Sequence, residues 1–199
     1  MTIRHPRAVF LLSVSCFVVL AGAVVLAGTP PLDQTVREAL LAAAAPPVVA
    51  LMRVVNLAGE AAVLAPGTLL LYLVFPRARH RWWIWVALMV AAPLAEGGFK
   101  LVIGRPRPEG LGLAFPSGHA TASGAFFGAV FYLAGSLPDP ARRIVRALAV
   151  VAIVLVAVAR VVLRAHWPSD VLGGAALGLA MASAAALLHS AGESGRSSR

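Results

Sequence analysis

Residues 8–28 carry no charged side chain. A run of that length crosses the hydrocarbon core of a bilayer when coiled as a helix, and it cannot be solvated as a surface element. A secretory signal has a shorter apolar region of about 7–15 residues, so the segment reads as a retained span. Five further apolar runs follow at about 61–75, 82–103, 117–136, 147–163 and 169–189. The run at 61–75 is short for a bilayer and extends back toward Leu57. Composition agrees: 60% of residues are hydrophobic, 13% are charged and mean hydropathy is +0.86. A soluble domain is about a quarter charged, which excludes a soluble enzyme, a disordered chain and a collagen-like fibre. The expected fold is an all-α polytopic bundle of six transmembrane helices.

Residues 29–56 break the pattern. Asp33, Arg37, Glu38 and Arg53 interrupt the apolar stretch, and Pro46-Pro47 stops any single long helix. This segment reads as an interfacial piece, helical in parts, lying against the bundle. Residues 1–189 are expected to form one membrane-embedded domain, and the Gly/Ser-rich residues 190–199 a disordered cytoplasmic tail. Cys16, the single cysteine, reads as a small core hydrophobe.

The net charge of +9 would suggest nucleic acid in a soluble protein. Here the arginines flank the apolar runs, as cytoplasmic loop arginines do, so no nucleic-acid partner is expected. Arg4, Arg7, Arg77, Arg79, Arg81, Arg142, Arg143, Arg146, Arg196 and Arg199 fall on one side of a six-span layout. Arg37 and Arg53 fall on the other. Both termini are therefore expected in the cytoplasm of a cell inner (plasma) membrane. Loops 104–116 and 164–168 then face outward together.

Nearly all the polar residues that a bundle should avoid lie at that outer face. Lys100 and Arg107-Pro108 end the third span, Pro116-Ser117-Gly118-His119 opens the fourth, and Arg160, His166 and Asp170 link the fifth to the sixth. Helix N-termini offer free N–H groups to anions, Gly118 permits close approach, and arginine forks match phosphate oxygens in pairs. One interfacial arginine more often snorkels to headgroups. Three cations converging on one helix start call for an anion, since each costs about 2.5–3.5 kcal/mol at mid-bilayer. Asp170, in the first turn of span six, lies four residues after His166, where a carboxylate can fix the imidazole tautomer.

This layout resembles the type 2 phosphatidic acid phosphatase family of integral membrane phosphatases, with its Lys-x6-Arg-Pro, Pro-Ser-Gly-His and Ser-Arg-x5-His-x3-Asp motifs. The resemblance covers residues 57–189 and extends to the related vanadium haloperoxidases. It implies that His166 is the nucleophile and forms a phosphohistidine. It implies that His119 protonates the leaving oxygen and then activates water, and that Asp170 orients His166. Lys100, Arg107, Ser117, Gly118 and Arg160 would hold the phosphate. A phosphate charge about 4 Å from His119 favours its protonated form by about 4 kcal/mol at an effective dielectric of 20. That exceeds the 0.3–1 kcal/mol by which the helix dipole opposes it. No carboxylate cluster offers a divalent-metal site, and no cofactor or metal is expected.

Two features depart from the family pattern. Ala159 stands where the family has serine, and the stretch between Pro108 and Pro116 leaves little room for a lid. Glu96 is placed to pair with Lys100 or to face substrate. Arg105 and Arg164 read as headgroup contacts, and His5, His80 and His189 as solvated cytoplasmic residues. The expected partners are the bilayer and a lipid phosphate, with undecaprenyl diphosphate the first choice. Phosphatidylglycerophosphate and phosphatidic acid remain open. A lipid phosphotransferase could use the same residues, and a non-enzymatic transporter of anionic lipid is the rival outside enzymes.

Overall fold

The structure, a computed structural model, describes residues 6–194. It contains the helices α1 (Pro6–Ala27), α2 (Pro31–Ala42), α3 (Pro46–Asn56), α4 (Ala61–Val74), α5 (Pro76–Arg79), α6 (Trp82–Ile103), α7 (Gly118–Leu133), α8 (Ala141–Val162) and α9 (Pro168–Ser194). The described residues form no strand, only one isolated bridge between Pro106 and Leu113. The all-α expectation holds. Among the described residues four helices, α1, α6, α8 and α9, are long and apolar enough to cross a membrane. The α2–α3 pair would make a fifth span but bends by 115°. The count of six is not reached by length alone, because α4 and α7 have 14 and 16 residues. The bend falls between α2 and α3, where Pro46-Pro47 begins α3, as expected for a segment helical in pieces.

Helix α9 is the hub, packed against α1, α6, α7 and α8. Its contact with α7 is backbone to backbone. Gly174, Gly178 and Ala182 repeat at four-residue intervals on α9. They face Ser117, Thr121, Gly124, Ala125 and Gly128 of the α7 segment. A Cβ on Gly178 would lie 2.2 Å from the Thr121 carbonyl oxygen, and one on Gly174 would lie 2.5 Å from that of Ser117. Small residues at this spacing let membrane helices approach to backbone contact, where dispersion and weak Cα–H···O bonds supply the attraction.

Helix α1 leans on α9 through Ser13, Phe17 and Val24, and Phe17 packs against Phe99 and Phe115. Cys16 lies off that stripe and is exposed, correcting the expectation of a core thiol. His189 is another correction. It is buried, with its ring 5.5 Å from that of Trp85. Helix α9 runs on to Ser194, so residues 190–194 continue the helix where a disordered tail is expected. Alanine and leucine in its last turns favour that continuation. The rest of the tail and His5 lie outside the described residues, and His80 is exposed.

The close α7–α9 crossing makes a direct prediction. Gly178→Ala should lower unfolding free energy by about 3 kcal/mol, because no side chain can yield where the obstruction is backbone. Gly22→Ala, with nothing within 4 Å, should leave the unfolding midpoint unchanged. Thermal unfolding of both variants in detergent checks this.

Candidate active site

The polar cluster forms where α6 and α8 end and α7 and α9 begin. Gly104, at φ +66°, caps α6, and its N–H bonds to the Lys100 carbonyl at 2.9 Å. The left-handed turn suits glycine and sends the next residues across the helix ends. Arg164 adopts φ +61° after α8, and the N–H groups of Ala165 and His166 fold back on the Arg160 carbonyl at 3.1 and 3.3 Å. This tight return sets His166 beside the start of α9. Pro168 begins that helix, and Asp170 Oδ2 accepts the Trp167 N–H at 2.8 Å. The Ser117 N–H bonds to the Asp170 carbonyl oxygen at 3.0 Å, so the second and third motifs are joined through backbone.

His166 is 1% exposed and Asp170 is fully buried. His166 Nδ1 lies 3.4 Å from Asp170 Oδ2, a distance at which a small ring rotation completes a hydrogen bond. Burial pushes the His166 imidazole below its usual pKa, and the Asp170 carboxylate opposes that shift without overcoming it. The ring is accordingly neutral near pH 7, with Nε2 available. Ser117 is fully buried, does not cap α7 with its side chain, and its Oγ has no hydrogen-bond partner among the described residues.

His119 occupies the first turn of α7. The charges acting on it are Arg160, His166, Lys100 and Arg107, so the predicted cations gather on one site. Among the described residues Arg107 otherwise meets its own loop, donating from Nε to the Leu113 carbonyl at 3.4 Å. Lys100 pairs with Glu96, one turn back on α6. Glu96 also lies against Gly118, where a Cβ would come within 3.0 Å of its Oε1. Ala159 packs with Met52 and Val162 in the α3–α8 contact.

Four participants were not assigned to the site from the sequence. Asn56, at the end of α3, accepts a hydrogen bond from Arg160 at 2.7 Å and donates to Glu60 at 3.0 Å. Its Nδ2 lies 3.4 Å from His119 Nε2, and Glu60 Oε1 is 4.0 Å from the same nitrogen. Arg105, read as a headgroup contact, is 4% exposed and bonded to Asp33 and Asp170 at 2.7 Å each. Arg164 fits its expected surface place: with Arg37 it binds Glu109, fastening the short 104–117 loop to α2 and to the turn after α8. No sequence signal marks Asn56 or Glu60 as part of the site. Their partners lie too far along the chain for spacing to reveal.

Beside His119 a cavity of about 340 Å³ opens between α4, α6 and α7. Glu60, Glu96 and His119 stand at its polar end, and Leu64, Met89 and Ala125 line its apolar depth. Among the described residues no three His, Cys, Asp or Glu side chains group as metal ligands do.

The class defined so far is a multi-pass helical membrane bundle with cations and two histidines gathered around a helix N-terminus. Residues 109–192 match the family model of the PAP2 superfamily. The fold is similar to a transmembrane PAP2-type phosphatidylglycerolphosphate phosphatase from Bacillus subtilis, at 26% identity and a TM-score of 0.73. That match covers 95% of this chain and 96% of the other. No curated protein matches the chain. The resemblance read from the three motifs is borne out, and the chain has the fold of the PAP2 membrane phosphatases.

Asn56 holds Arg160 in place by a charge-assisted bond, worth about 1.5–3 kcal/mol. Asn56→Ala should weaken binding of vanadate or phosphate about tenfold while leaving the fold intact. Calorimetric titration of the purified protein measures this.

Proposed function

We propose that this protein hydrolyses a phosphomonoester or diphosphate of a membrane lipid through a phosphohistidine, without a metal ion. The observation that carries the reading is the placing of a buried His166 3.4 Å from Asp170, beside a Ser117 Oγ without a partner among the described residues and the cations Arg160, Arg107 and Lys100. The adjoining apolar cavity supports a lipid rather than a soluble ester.

The lipid enters between α4 and α6 with its chain in the cavity. Its phosphate lies against the N–H groups of α7, with Ser117, Gly118, Lys100, Arg107 and Arg160 around it. His166 Nε2 attacks phosphorus and the bond to the leaving oxygen breaks. His119 delivers its proton to that oxygen, and Asp170 stabilises the charge that develops on the His166 ring. Water then attacks the phosphohistidine while His119 accepts its proton, releasing phosphate and restoring His166. With α9 beginning at the site, the bond from Arg81 to the Leu188 carbonyl lies toward its far end, as does that of Arg146 to Phe131 at the end of α7. This separation supports cytoplasmic termini and an outward-facing active site in the inner membrane.

Two lipids head the substrate panel. Undecaprenyl diphosphate is the choice made from the sequence. Phosphatidylglycerolphosphate is favoured by the similarity to the Bacillus subtilis enzyme. Phosphate release from both, with EDTA throughout, tests the reading, and loss of activity restored by Mg²⁺ would overturn the metal-free step. Analysis of the phosphoryl acceptor separates hydrolysis from transfer to an alcohol.

Two predictions follow the chemistry. His166→Ala should lose turnover and form no phosphoenzyme. His119→Ala should lose about 10²–10⁴-fold on a lipid monophosphate yet accumulate phosphohistidine from p-nitrophenyl phosphate, whose leaving group needs no proton. Rapid-quench detection of acid-labile phosphoprotein distinguishes them, and a burst in His166→Ala alone would reverse the two roles. The second concerns pH. The neutral form of His166 attacks, and burial lowers its pKa, so that form persists into mild acid. The acid limb of kcat/KM should therefore fall below the ordinary imidazole value of about 6.5.

A further inference from the structure

We propose that Asp33, on α2, is a positioning residue for this reaction, acting through Arg105 to leave the charge of Asp170 free to serve His166. The inference rests on the phosphohistidine reading above. Asp33 is 3% exposed, and both its carboxylate oxygens are engaged. Oδ1 accepts the Ser169 N–H at 2.7 Å, and Oδ2 accepts the Ser169 hydroxyl at 2.6 Å and the Arg105 guanidinium at 2.7 Å. The other arm of Arg105 donates to Ser169 Oγ and to Asp170 Oδ1, each at 2.7 Å. One buried cation thus bridges two buried carboxylates, and only one of those faces the catalytic ring.

The charge balance explains why two are needed. Arg105 fixes Asp170 by a strong directional bond, which holds Oδ2 toward His166. Arg105 alone would also cancel the negative charge of Asp170, leaving the imidazole beside a neutral pair. Asp33 neutralises Arg105 in turn, so the trio carries a net negative charge at low dielectric, where charge acts strongly. That charge stabilises the imidazolium-like ring formed when Nε2 bonds to phosphorus. The other charged or titratable groups facing His166 are Asp170 on α9, Arg160 on α8, Arg107 in the 104–117 loop and His119 on α7. None of them changes when Asp33 is replaced.

A residue that merely pins α2 to α9 would affect folding and leave the titration of His166 where it stands. The full chain, labelled with ¹³C at the histidine rings, is titrated by NMR in detergent, with His166 assigned from His166→Ala. In Asp33→Asn the His166 pKa should fall by about one unit, since a neighbouring positive charge is no longer compensated. In Arg105→Gln it should rise. In the double variant the two changes cancel, and it should return to the wild-type value. Where a phosphatase substrate has been found, Asp33→Asn should lower kcat about 10- to 100-fold with KM little changed, and Asp33→Glu should recover part of that loss.

An unchanged His166 pKa in folded Asp33→Asn, or shifts of the same sign in both single variants, overturns the proposal. If Asp33→Asn does not fold, Arg105→Gln and the double variant decide: a rise that the second substitution cancels supports it, and no movement overturns it. Because the titration needs no turnover, an inactive wild-type protein would count against the phosphatase reading alone.

Discussion

The bond from the Ser117 N–H to the Asp170 carbonyl joins the start of α7 to the start of α9, and the candidate site is arranged around it. It exists because the two helices meet at backbone distance. With a methyl group on Gly174 or Gly178 the chains would have to part, and the anion-facing N–H groups of α7 would leave the His166 side of the site. Site and packing are thus one constraint: the glycines that let the helices touch also set the distance between the start of α7 and His166. Asp170 takes part in both. Its carbonyl belongs to the packing contact and its carboxylate to the site.

The electrostatics follow a second rule, that three of the cations gathered at these helix ends have partners held by the fold. Lys100 has Glu96, Arg160 has Asn56, and Arg105 has Asp33 and Asp170. Unpaired cations at this depth would be costly in the resting protein, and ions buried without a partner cost several kcal/mol each. Partners of different strength grade their availability. Arg160 is held by a neutral amide and retains a buried, unbonded Nε, so it can take a phosphate oxygen without losing a salt bridge. Arg105 is committed on both arms and serves as scaffold. That distinction separates two arginines only 55 residues apart which look alike in the sequence.

The eight motif residues that the structure gathers at one end of the bundle were legible because each proposed chemistry fixes residue types at short spacing, as in the four-residue step from His166 to Asp170. Phosphate cations and a helix-start glycine have few other uses at the end of an apolar run. Asp33, Asn56 and Glu60 were not legible in these terms. Asp33 meets Ser169 across 136 residues and Asn56 meets His119 across 63, and no local pattern encodes such contacts. Arg105 sat within view but was misjudged, because a guanidinium beside a membrane surface ordinarily turns outward. Here two buried carboxylates outweigh that tendency. Cys16 and His189 show the same limit on a smaller scale. Which face of an apolar helix is covered depends on a neighbour that hydropathy does not name.

The short helices give the site its depth. At 1.5 Å per residue the 16 residues of α7 span about 24 Å, against about 30 Å of hydrocarbon. Helices α6 and α8, with 22 residues each, are about 33 Å long. If α7 reaches the arginine-rich interface at its far end, its N-terminus falls several ångströms short of the opposite one. The deficit is filled by the 104–117 loop, fastened by Glu109 to Arg37 and Arg164, so the N–H groups of α7 need not open directly to bulk water. The cavity beside that end lies next to His119 and Glu96, with an apolar lining below them. Helix α4, with 14 residues, is short in the same way and forms one wall of the cavity. The two helices too short for full spans are therefore the ones that set the depth of the candidate site within the bundle.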